Sequence, residues 1–124
     1  MTEFFFTAPY PPSVNHYWLT RGRYKFLSER ARAYTAAMQN IVSKDVVCFK
    51  DAPVSLDILV FPPDKRKRDI DNILKPILDS LAKAGVYDDD SQVHCIRICR
   101  AEQVKNGKIE ILIKNFTKTC ALRL

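Results

Sequence analysis

The 124-residue chain carries 20 Lys and Arg against 14 Asp and Glu, a net charge of +6, with 47% hydrophobic and 27% charged residues. That balance excludes a disordered polyelectrolyte, and no run of about 18 apolar residues offers a membrane span. The length suits one domain over residues 1–124 with a core of its own, and the excess of cations favours a polyanionic partner.

The opening "MTEFFFTAPYPP" has an acid at Glu3 and no basic n-region, so no secretory signal is expected and the chain reads as cytoplasmic. The segment forms a short strand, which Pro9, Pro11 and Pro12 turn into a loop. "LTRGRYKFLS", with Gly22 at its centre, is a basic loop or a small hairpin. Ser28 is a good helix N-cap, and Ala31, Tyr34, Met38, Ile41 and Val42 recur at helical spacing behind it. Arg30 and Arg32 belong to that helix's solvated face. "VSLDILVF" alternates as a strand and ends at Pro62 and Pro63.

A second helix shows an apolar face of Ile70, Ile73, Leu74, Ile77, Leu78 and Leu81, with Gly85 as its terminating residue. Pro76 inside it removes a hydrogen bond, so the helix is either kinked or starts later than the apolar pattern suggests. Strands follow over about Gln92 to Arg100 and Lys108 to Phe116, with Asn106-Gly107 predicting a hairpin between them. The order β-α-β-α-β-β defines an α+β domain, a mixed sheet of about four strands with two helices packed on one face. Cys48, Cys95, Cys99 and Cys120 contain no C-x-x-C pair. Buried reduced thiols are expected, rather than zinc ligands joined by His94.

The chemistry concentrates in "KRKRDIDNILKPILDSLAKAGVYDDDSQV". Residues two apart share a face in extended chain and not in a helix, so Asp69 and Asp71 converge only if Asp69 precedes the helix. Asp71 and Lys75 share a helix face. The acids Asp88 to Asp90 reach the same place only if the loop or the next strand runs back along the helix. Gathered carboxylates suit a hard divalent cation such as Mg²⁺. Lys65, Arg66, Lys67 and Arg68 beside them would hold a phosphate polyanion. The same residues also admit plainer roles: an N-cap at Asp69 or Asp71, a solvated turn at "YDDDSQ", and a surface cation run.

"RDIDNILKPILDSLAKAGVYDDDSQV" resembles the signature of the RusA family of Holliday-junction resolvases, carried by bacteria and their phages. Arg68, Asp69, Asp71, Asn72, Lys75, Asp79, Leu81, Ala84, Gly85, Asp89, Asp90, Gln92 and Val93 fall on its pattern. "PYPPSVNHYW", with Asn15, and "RGRYKFLSERARAY" are similar to the family's opening, so the likeness runs at least from Pro9 to Val93.

The resemblance implies a homodimer that cuts four-way junction DNA with Mg²⁺, for which Mn²⁺ substitutes, and with no small-molecule cofactor. Products with 5′-phosphate and 3′-hydroxyl ends are expected. By position Asp69, Asp71 and Asp90 match the metal-binding catalytic aspartates, and Lys75 matches the catalytic lysine. Asn72 and Asp89 stand beside them as supporting residues. DNA contacts are expected from Lys65, Arg66, Lys67 and Arg68, with Asn15, Arg21, Arg23 and Lys25 as a second patch. His16 and His94 are structural or DNA-facing. The dimer would form through the "EFFF" edge or the final strand. Two other functions fit the same residues: a Mg²⁺ nuclease for another branched DNA or RNA, and a junction-binding protein without catalysis.

Overall fold

The computed structural model describes residues 3–43 and 48–118. A four-stranded mixed sheet is built from β1 (Glu3–Ala8), β4 (Val54–Phe61), β5 (Val93–Arg100) and β6 (Lys108–Asn115). Its spatial order is β1-β6-β4-β5, while β2 (Trp18–Arg21) and β3 (Tyr24–Leu27) form a separate hairpin. Two helices, α1 (Glu29–Val42) and α2 (Asp71–Lys83), cover one face.

The alternation in the sequence decides which face is covered. Phe4, Phe6 and Ala8 of β1, Val54, Leu56, Ile58 and Val60 of β4, and Ile109, Ile111 and Ile113 of β6 are all buried. Against them pack Tyr34, Met38 and Val42 from α1 and Ile73, Ile77 and Leu81 from α2. Each such side chain contributes about 1.5–3 kcal/mol on burial. Among the described residues no helix covers the opposite face, which leaves Phe5 60% and Leu59 42% exposed.

Ser28 caps α1 as expected: its hydroxyl accepts from the Ala31 N–H at 3.1 Å and donates to the His16 carbonyl at 2.6 Å. At α2 the helix begins at Asp71, one residue after Ile70, so Pro76 lies in its second turn. Having no N–H, Pro76 leaves the Asn72 carbonyl without its usual donor, and its buried ring packs in the core. Gly85, at φ +84°, ends α2 in a Schellman turn: Val86 N–H bonds to Leu81 O at 3.1 Å and Gly85 N–H to Ala82 O at 3.0 Å.

The expected hairpin between the last two strands does not form. Among the described residues β5 pairs only with β4, in parallel, and β6 lies on the far side of β4, antiparallel to it. After β5 the chain continues along the end of β4, with Ala101 N–H bonded to Val60 O and Val104 N–H to Pro62 O. The turn is present as read, with φ +69° at Asn106 and +68° at Gly107, but it carries the chain over the end of β4. A two-residue turn spans neighbours about 4.8 Å apart, whereas strands flanking a third are about twice that.

Two further expectations change. The final strand is interior, so of the two dimer edges suggested only β1 is an edge. Cys48 and Cys99 are exposed and Cys95 is half-buried, so the cysteines are not buried thiols; Cys120 lies outside the described residues. His94 rests edge-on against Phe116 at 5.2 Å.

Gly107 and Gly22 both have positive φ, yet only Gly107 is crowded. A Cβ there would lie 3.0 Å from Tyr10 Cβ and 3.1 Å from the Phe61 carbonyl, while at Gly22 it would meet nothing within 4 Å. In urea unfolding, Gly22→Ala should cost about 1 kcal/mol, the left-handed backbone penalty alone, and Gly107→Ala roughly 2–3 kcal/mol.

Candidate active site

The loop between β4 and α2 is stapled by its own charges. The Arg68 guanidinium forks the Asp64 carboxylate through Nη1–Oδ1 at 2.5 Å and Nη2–Oδ2 at 2.9 Å, and Asp64 also accepts the Arg66 N–H at 2.9 Å. These bonds, Arg68's first, hold the Asp64 carboxyl well below the usual carboxylate range, and Asp64 in turn raises Arg68. Arg68 also lies 5.8 Å above the Tyr10 ring, and Arg100 donates to the Arg68 carbonyl at 2.5 Å. Fixed in this way, the loop delivers Asp69, exposed, on the irregular segment ahead of α2 and Asp71, exposed, on its first residue. There the helix dipole favours negative charge.

The second acidic stretch returns along α2. After the Gly85 reversal the Tyr87 hydroxyl donates to Leu78 O at 2.8 Å, and Asp90 accepts from Lys75 Nζ at 2.5 Å. Lys75 is four residues beyond Asp71, so Asp90 arrives one helical turn from it. The Gln92 side chain builds the turn that presents Asp90. Its Oε1 accepts from both Asp88 N–H and Asp89 N–H at 2.8 Å, and its Nε2 donates to Ala52 O at 2.7 Å. Asp89 closes the cap by accepting Ser91 N–H at 2.9 Å, and the Ser91 hydroxyl first, then this N–H, lower its pKa.

Beside Asp69 opens a groove of about 1090 Å³ between the proline segment, α1 and the stapled loop. Arg30, Arg66, Lys67 and Arg68 line it along with Asp64 and Asp69. Because Arg68 and Asp64 neutralise each other, three cations face one carboxylate, a field suited to phosphates. Asn15 and His16 form another wall, with Ser13 Oγ 3.0 Å from His16 Nδ1. That wall is anchored to α2: the buried Tyr17 hydroxyl donates to Asp79 Oδ2 at 2.6 Å, and Lys83 reaches the same oxygen at 2.9 Å. Burial, then the Asp79 bond, push the Tyr17 pKa up, so it remains a donor.

The family model described as "Endodeoxyribonuclease RusA" matches residues 9–114. The chain belongs to the RusA family. It is 39% identical over 114 residues to the crossover junction endodeoxyribonuclease rusA of Enterobacteria phage HK97, covering 91% of this chain and 95% of the relative. The proteins of the same name from Enterobacteria phage 82 and Escherichia coli strain K12 are each 36% identical over 115 residues, with the same coverage.

Several residues of the RusA signature thus acquire physical roles. Asp79 anchors Tyr17, Gly85 reverses the chain, and Gln92 and Asp89 shape the Asp90 turn. Lys75, four residues beyond Asp71 on α2, holds Asp90, and Asp69 lies just upstream of the helix. Among the described residues no three His, Cys, Asp or Glu side chains are gathered into a closed metal-holding group, and the Asp90 carboxylate is engaged by Lys75. Asn72 lies on the groove wall next to Asp69.

Of the expected DNA contacts, Arg66, Lys67 and Asn15 line the groove, Lys65 is exposed outside it, and Arg68 is committed to Asp64. Arg21, Arg23 and Lys25 are exposed on the β2–β3 hairpin. Arg30, assigned from its helix position to a solvated face, belongs to the groove. Helical periodicity identifies the buried face of α1, and only the packing of the proline segment shows what stands opposite the polar one.

Gln92→Ala should cost about 2–4 kcal/mol in urea unfolding, since it removes three part-buried hydrogen bonds made by a buried side chain. Gln92→Glu keeps two acceptors and should recover part of the loss.

Proposed function

We propose that this RusA-family endodeoxyribonuclease resolves Holliday junctions by paired, Mg²⁺-dependent nicks during DNA recombination and repair in the cytoplasm. The observation that carries the reading is the Lys75–Asp90 pair, which brings the second acidic stretch to α2 one turn beyond Asp71, while Asp69 just upstream lines a basic groove. The relatives' name, crossover junction endodeoxyribonuclease, supports the junction as substrate.

Asp69, Asp71 and Asp90 supply hard carboxylate oxygens, the donors Mg²⁺ takes. Because Mg²⁺ keeps several waters, one or two of them suffice per ion. When bound, the metal supplies a water of lowered pKa and charge neutralisation at the scissile phosphate. Lys75 and Asp90 are 50% and 27% exposed, and such a pair contributes only about 0–1 kcal/mol, so it opens at little cost. Opening it leaves Asp90 available as a ligand and the Lys75 ammonium directed at negative charge developing on the phosphate. Arg30, Arg66 and Lys67 hold the backbone of the arm entering the groove. No histidine has to act as base.

Cleavage of a synthetic four-way junction should require Mg²⁺ and stop in EDTA. Asp71→Asn should lower the rate by roughly 10³-fold or more, and Lys75→Ala by about 10²–10³-fold, with junction binding retained in both. Normal binding with no nicks from the native chain would instead support the non-catalytic reading. Cleavage of RNA or other branched DNA in preference would support a different substrate.

Paired nicks on symmetry-related strands call for two copies related by a twofold axis. The uncovered sheet face supports that reading. The strand registers align Phe5, Leu112, Asp57 and Arg97 in one row and Thr7, Glu110, Leu59 and Cys99 in the next, around a shallow hollow of about 360 Å³. Arg97 clasps Asp57 at 2.7 and 3.0 Å, holding that carboxyl below its ordinary range, and Lys108 pairs with Glu110 at 3.3 Å, so both acids beside the apolar residues have a cation partner. Leu59→Arg should convert a dimer to a monomer at micromolar concentration in light scattering without changing helical circular dichroism. Unchanged mass would move the interface elsewhere.

A further inference from the structure

The β2–β3 hairpin pairs with no strand of the main sheet. Its two-residue turn has positive φ at Gly22, the arrangement that suits a tight antiparallel ribbon. The register sets Leu19 opposite Phe26 and Arg21 opposite Tyr24, so these four side chains share one face. On that face Leu19, Phe26 and Tyr24 are 46%, 39% and 77% exposed. The other face carries Trp18 and Leu27, both half-buried, with Lys25 Nζ 4.7 Å above the Trp18 ring. One side of the ribbon is seated on the protein, and the other displays aromatic surface to solvent.

Charge identifies what that surface receives. No Asp or Glu occurs between Glu3 and Glu29, while Arg21 opposite Tyr24 and Arg23 in the turn beside it are exposed, as is Lys25 on the other face. A polyanion fits this field, and an acidic protein partner would not require stacked rings. Aromatic faces interleaved with cations are the chemistry that binds unpaired nucleic-acid bases, with rings stacking on bases and cations following the phosphates. Strands of four residues span about 13 Å, the height of roughly four stacked bases.

The hairpin is also a rigid extension of the groove wall. It follows directly on Asn15 and His16, which line the groove. Its base is held by Ser28 N–H to Tyr17 O at 2.8 Å, and by the Tyr17–Asp79 bond to α2. A duplex arm lying in the groove therefore leads toward the ribbon.

We infer that Tyr24 and Phe26, flanked by Arg21 and Arg23, form a stacking platform for unpaired bases at the branch point, and so select branched DNA over duplex. This rests on the junction reading of the site. Phosphate contacts in the groove are the same for any duplex arm, whereas exposed base faces occur only where pairing is interrupted.

The test compares native protein, Tyr24→Ala and Tyr24→Phe in EDTA, where cleavage plays no part. Affinity is measured by anisotropy on a four-way junction carrying 2-aminopurine at the branch and on an unbranched duplex of the same sequence. Tyr24→Ala should weaken junction binding about tenfold, leave duplex binding and its salt dependence unchanged, and abolish the 2-aminopurine emission change. Tyr24→Phe should keep both junction affinity and emission change. Because Tyr24 is at the surface, urea midpoints should match across the three.

Tyr24→Ala that binds the junction like native protein overturns the platform, and so does an equal loss on junction and duplex; in either case junction cleavage by native protein leaves the resolvase reading intact. Native protein that neither prefers nor cleaves the junction overturns the resolvase reading and the platform with it.

Discussion

The parallel pairing of β4 with β5 governs the rest of the molecule. Parallel neighbours cannot be joined by a tight turn, so the chain has to travel back across the sheet, and α2 is that return path. The helix is thus flanked by two connections, and each carries one of the acidic stretches. What brings them together is the reversal at Gly85, after which the chain retraces α2 until Asp90 meets Lys75. The site is a property of a crossover, its acids supplied by the segments entering and leaving one helix.

Charge near the site is organised by internal neutralisation. The cluster at Lys65 to Arg68 is less uniformly available than its spelling suggests, because Arg68 serves Asp64 and shapes the loop. Asp89 is likewise a cap, and Asp57 is matched by Arg97. With those charges paired, the ones left directed outward are a basic groove and a small acidic patch at its edge, adjacent but distinct. A polyanion can be drawn to the first without being repelled by the second, since at ordinary salt an exposed charge acts over only about 8–10 Å.

Much of this was legible in the sequence wherever the signal was local. The Ser28 cap, the alternation of β4 and β6, the Gly85 terminus and the extended placement of Asp69 ahead of α2 all depend on a few adjacent residues. Non-local features were not legible. Asn106-Gly107 encodes a backbone with two positive φ values, and nothing in it says whether the strands on either side will be partners or will be parted by β4. Arg30 could not be placed in a groove whose other wall comes from residues near Pro9 and Lys67. Pro76 suggested a delayed helix start because it lacks a donor, yet helix α2 begins at Asp71, with the ring buried in the core.

The interior position of β6 has a consequence in time. Among the described residues β1 pairs with no strand but β6, in a register that joins Glu3 to Lys114, so the aromatic N-terminal strand finds that partner only once residues beyond 108 have been synthesised. Closing so long a loop is slow compared with forming either helix, and the contacts that complete the sheet are the least local in the protein. During translation the β4-α2-β5 unit, with both acidic stretches, emerges and can collapse first. The sheet then waits for its missing centre strand, and through that interval "EFFF" is an open, sticky edge.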